Sequence, residues 1–105
     1  MSKILRDPVV IIKSILLDQN AKQWTFKVNP PFLMLRPKID EKTQNIKIYY
    51  SEAEEGLNEQ ETVTIFDFGT NQKVDEGVDL WELFYLDSLS QHEGHIVHHL
   101  FWDLD

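Results

Sequence analysis

The sequence predicts a mainly β fold: a single-domain antiparallel β-meander, either a small sandwich or a partly open barrel, with a C-terminal hairpin. Three observations predict it. Apolar and polar residues alternate with period two in several runs, and short polar or proline-bearing stretches separate those runs. A glycine also stands in the "HEG" tripeptide between the last two aromatic-rich segments. The length of 105 residues suits one domain, 1–105, with a core of its own.

The first candidate strand, 9–17, lies in the apolar run "PVVIIKSILL". Val9 to Ile12 is β-branched, which disfavours helix and suits a pleated surface. Asp7 before Pro8 resembles a helix start, so an α+β alternative carries a helix near 7–20. Lys13 interrupts the run, which has about half the length a bilayer span requires. It reads as a core element rather than a signal or membrane segment.

The second run, 23–28, sets Trp24, Phe26 and Val28 against Thr25 and Lys27. After the "NPP" turn, 32–39 is apolar, but Pro37 implies a sheet edge or a strand end, because proline cannot donate to a ladder. Polar 40–45 leads to 45–51, where Ile46, Ile48 and Tyr50 share a face. In 61–68, Val63, Ile65 and Asp67 alternate with Thr64, Phe66 and Phe68. The segment 75–89 opens with acids that suit a helix start, hence a second helix in the alternative fold. Its aromatics and Gly77 argue for extended chain.

The C-terminal segment "QHEGHIVHHLFWDLD" holds all four histidines. Read as a helix, it would align His92, His95, His99 and Asp103 on one face. Read as a strand after a three-residue turn, it accounts for Gly94, which suits the left-handed third position of such a loop. The hairpin reading is preferred. Its register sets Phe84 against Trp102, Tyr85 against Phe101, Leu86 against Leu100 and Asp87 against His99. His98 then falls on the apolar face with Ile96, Leu100, Trp102 and Leu104, as a hydrogen-bonded structural histidine. His95 and His99, two positions apart on one face of the strand, stand too far apart to chelate one ion, so no metal site is expected.

The net charge is −8, unevenly spread. Residues 1–47 carry nine Lys or Arg against four acids, and 48–105 carry one Lys against fourteen. An acidic chain lacks the footprint for phosphate contacts, so direct nucleic-acid binding is not expected. Zero cysteines exclude thiolate metal sites and cysteine nucleophiles and fit a cytoplasmic setting. No phosphate-binding glycine loop, calcium loop or nucleophile elbow is present. No catalytic residue and no cofactor are therefore assigned.

The residues point to a small acidic protein-binding module, an inhibitor, antagonist or accessory subunit that occupies a partner's surface. The acidic stretch 51–61, with Glu52, Glu54, Glu55, Glu59 and Glu61, is the candidate contact for a basic partner surface. A free sheet edge would also allow homodimer pairing. The competing reading is a metal-dependent or acid–base enzyme. It would use the possible polar site Asp87, His95 and His99.

Overall fold

The computed structural model describes residues 9–18, 21–55 and 59–105. They form eight strands: β1 (Val10–Leu16), β2 (Gln23–Val28), β3 (Leu33–Met34), β4 (Lys38–Ile39), β5 (Ile46–Ala53), β6 (Glu61–Gly69), β7 (Phe84–Gln91) and β8 (Ile96–Leu104). The period-two runs are thus strands, and the fold is mainly β with antiparallel sheets. No α-helix occurs among the described residues. The β-branched run of β1 pairs with β5 instead of coiling, and 75–89 holds one 3-10 turn, Leu80–Glu82, before β7. That turn is capped by Asp79, whose carboxylate accepts from Trp81 N–H at 3.0 Å. Asp7 and Pro8, the proposed helix start, lie outside the described residues.

The apolar segment 32–39 divides at Arg36-Pro37 into β3 and β4, and both pieces pair with β5. This is the interruption expected where a residue has no N–H to give a ladder. The first sheet runs β1-β5-β3, with β4 also on β5; the second runs β2-β6-β8-β7. Neighbours in sequence pair only at β4–β5 and β7–β8. All other pairs join distant segments: β1 with β5, β3 with β5, β2 with β6 and β6 with β8.

One core joins the two sheets. Leu17, Ile46, Ile48 and Tyr50 from the first meet Val28, Val63, Ile65 and Leu100 from the second. Asn29 links the sheets at one end. Its N–H donates to Glu52 Oε1 at 3.0 Å, its side-chain amide donates to the Ala53 carbonyl at 3.2 Å, and its carbonyl accepts from Ala53 N–H at 3.1 Å. At the β4–β5 turn, Asp40 Oδ2 accepts from the Thr43 hydroxyl at 2.7 Å and Thr43 N–H at 3.0 Å. Those bonds hold the Asp40 carboxyl below its ordinary range, the hydroxyl contributing most.

The C-terminal hairpin is present, with a different register near its tip. Gln91 pairs with Ile96, so four residues form the loop instead of three. His92, Glu93 and Gly94 all take positive φ (52°, 57° and 89°), and His95 N–H closes on the His92 carbonyl at 3.1 Å. The longer loop shifts the ladder by one residue, and a bulge between Tyr85 and Asp87 absorbs the shift. Phe84–Trp102 and Tyr85–Phe101 keep the expected pairing, with ring centroids 4.6 and 5.5 Å apart. Leu86–Leu100 and Asp87–His99 do not form: Asp87 faces Leu100 and Ser88 faces His99.

Candidate functional site

On the core-facing side of the second sheet, three adjacent strands place polar residues among apolar ones. Asp67 on β6 faces Leu100, and His98 on β8 lies diagonally across from it. Gln91 on β7 lies diagonally from His98 on the other side. His98 Nδ1 is 2.7 Å from Asp67 Oδ2, and Nε2 is 2.6 Å from Gln91 Oε1. Gln91 Nε2 in turn donates to the Gln44 carbonyl at 2.7 Å, which turns the amide oxygen toward the ring. Both ring nitrogens therefore face side-chain oxygens, one of Asp67 and one of Gln91. Gln44 belongs to the β4–β5 turn, so the chain of contacts spans from one sheet to the other.

This network borders a cavity of about 210 Å³. Leu17, Trp24 and Ile46 supply apolar lining, Asp67, Gln91 and His98 supply polar groups, and Asp18 and Lys22 also line it with opposite charges. Trp24 lies on β2 opposite Ile65, which puts it on the face that Asp67 shares. Among the described residues, two buried side-chain polar atoms have no hydrogen-bond partner: Trp24 Nε1, a donor, and Asp67 Oδ1, an acceptor. Both residues line the cavity. An unpaired buried polar atom costs about 1–3 kcal/mol, so this corner of the core holds unfilled hydrogen-bonding capacity.

The residues singled out in the sequence lie elsewhere and are not brought together. Glu52 is a correction, because it does not sit in an exposed loop. It is a β5 residue only 3% exposed, bonded to Asn29 N–H and ion-paired with Lys13 Nζ at 2.8 Å. Burial raises its carboxyl, but the Lys13 hydrogen bond, the Asn29 N–H and the Lys13 charge outweigh burial and hold it below the ordinary value. Glu54, Glu55 and Glu59 are exposed, and Glu61 opens β6 half-buried. Residues 56–58 between them lie outside the described residues.

Asp87 accepts from Ser88 N–H at 2.8 Å and stands 3.4 Å from the Arg36 guanidinium. His95 is exposed in the loop beside Gly69, Thr70 and Asn71. His99 takes hydroxyl partners, Ser88 at 3.0 Å on Nδ1 and Thr70 at 2.8 Å on Nε2. The Ser88 hydroxyl also meets the Tyr85 hydroxyl at 2.8 Å. A serine beside a histidine resembles a nucleophile and its base, but Thr70 stands where an orienting carboxylate would, and the group is exposed. Among the described residues no three His, Asp or Glu side chains converge to hold a metal ion.

Sequence reasoning put His98 on the apolar face but did not join it to Asp67. The signal was present in both strands: Asp67 shares a face with Val63 and Ile65, and His98 shares one with Leu100 and Trp102. The exposed apolar residues are also informative. Val9, Val10, Ile11, Ile12 and Leu16 are all exposed on or beside β1, as are Trp81, Phe84 and Tyr85 at β7. No helix among the described residues is long and apolar enough to cross a membrane. No protein-family model, curated protein or solved structure matches this chain, so fold and site rest on its own residues.

Proposed function

We propose that this chain is a small acidic protein-binding module of the cytoplasm. It acts as an inhibitor, antagonist or accessory subunit by taking a strand of its partner onto β1. One observation carries the reading: β1 is a seven-residue edge strand with Val10, Ile11, Ile12 and Leu16 exposed. Solvated protein edges are commonly shortened, charged or covered, and a long apolar edge is a template for another strand. Leu17 N–H bonds to Ile46, and the Val9 carbonyl accepts from Glu54, so the odd-numbered backbone groups face β5. Those of Val10, Ile12, Ser14 and Leu16 face outward, with no partner strand among the described residues. Lys13, the one charge on this strand, is already held by Glu52.

The net charge of −8 and exposed Glu54, Glu55 and Glu59 favour a basic partner surface. The enzyme reading has no comparable observation behind it, because Asp87, His95 and His99 each have separate surroundings. Ser14→Pro tests the proposal. It removes an outward N–H and leaves the ladder to β5 intact, so the variant folds. A partner captured from native extract by the wild type, or self-association seen by sedimentation, is expected to vanish in Ser14→Pro. Retention of either by the folded variant sinks strand addition at β1.

A further inference from the structure

The cavity beside Asp67 and His98 is a second, separate feature, on the inner face of the other sheet. We propose that it binds a small neutral hydroxylated ligand of monosaccharide size. The two unpartnered buried atoms are complementary: Trp24 Nε1 has a proton to give, and Asp67 Oδ1 has a lone pair to fill. A hydroxyl group accepts and donates through one oxygen, so a single group, or two adjacent ones, meets both. The Asp67 carboxylate disfavours an anion, and Asp18 and Lys22, opposite in charge, select no ion.

Leu17, Ile46 and the Trp24 ring give the cavity an apolar side against which the C–H face of a sugar packs. The volume of about 210 Å³ corresponds to about seven liquid-water volumes, which suits a monosaccharide and is small for a longer chain. Asp67 arrives pre-oriented, because His98 holds its other oxygen and Gln91 and Gln44 hold His98. Both orphan atoms are buried, so the proposal requires that a ligand in the cavity displace the side chains covering them.

The test is an NMR titration with glucose, ribose and glycerol, reading the indole N–H resonances of the three tryptophans. A saturable shift of the Trp24 resonance at about millimolar ligand is expected with at least one sugar. Trp81, 96% exposed, is the internal control and stays still. Calorimetry on Trp24→Phe, which keeps a ring and removes the donor, is expected to weaken binding about threefold to tenfold. Asp67→Asn adds a second arm if it folds; Trp24→Phe suffices if it does not. Absence of any saturable Trp24 shift with all three ligands overturns the proposal. An equal shift at Trp81 overturns it as a bulk solvent effect. Ser14→Pro is expected to bind sugar normally, so failure here leaves the β1 reading standing.

Discussion

Glu52 is the buried acid most closely tied to both sheets. Lys13 holds one oxygen and Asn29 N–H the other, linking β1, β5 and the end of β2. Its folded carboxyl lies below the ordinary value of 4.5, so its contribution to stability is full above that pH. It fades as pH falls through the lowered value. Glu52→Gln is therefore expected to melt lower than wild type near neutral pH, with the difference shrinking from pH 4.5 downward. Thermal melts across an acid series check it, and a constant gap would refute the assignment. Lys13, raised by the same carboxylate, contributes below its ordinary value of 10.5 and loses that contribution as pH rises through the raised one. Two further substitutions separate core from surface. Ile65→Ala, at a fully buried site, should cost about 2–5 kcal/mol, whereas exposed Trp81→Ala should stay within about 0.5 kcal/mol in denaturant titrations. Asp67 was legible as a polar residue on an apolar face. Its partners were not, since they come from β8 and, through Gln91, from β7.

At the level of elements, the C-terminal hairpin shows how far local chemistry reaches. Gly94 takes the left-handed conformation that turn chemistry assigns it, with φ of 89°. A Cβ there would meet nothing within 4 Å, so Gly94→Ala should cost only the backbone penalty, about 1–2 kcal/mol by equilibrium unfolding. A cost near zero would show that the loop relaxes to another turn. Loop length was not legible, because His92 and Glu93 also adopt positive φ, which their side chains do not advertise. The compensating bulge then serves the aromatic pairs: Phe84–Trp102 and Tyr85–Phe101 are retained, and Asp87–His99 is lost. The ring contacts are kept at the expense of a single Asp–His pairing across the ladder. β1 shows the reverse case: its strand character is local, while its place at a sheet edge is not.

For the whole molecule, charge and edges work together in the proposed binding. The net charge of −8 predicts that a complex formed through the exposed glutamates weakens as salt rises, because screening shortens the reach of surface charges. Affinity of an isolated complex measured over an ionic-strength series is expected to fall. A flat series would confine the contact to the apolar edge of β1. The sequence by itself determined the strands, the Pro37 break and the hairpin, since alternation and turn preference act over a few residues. The apolar run 9–17 reads as a core element, whereas Val9 to Ile12 and Leu16 are exposed, because β1 lies at a sheet edge. Only the tertiary structure decided that β5 joins β1 to β3 and β4, and that β6 and β8 lie between β2 and β7. It also decided that Glu52 is buried and that Trp24, Asp67, Gln91 and His98 meet around one cavity. These depend on which distant strands pair, and that choice is made by the shared core of both sheets rather than by any short stretch of chain.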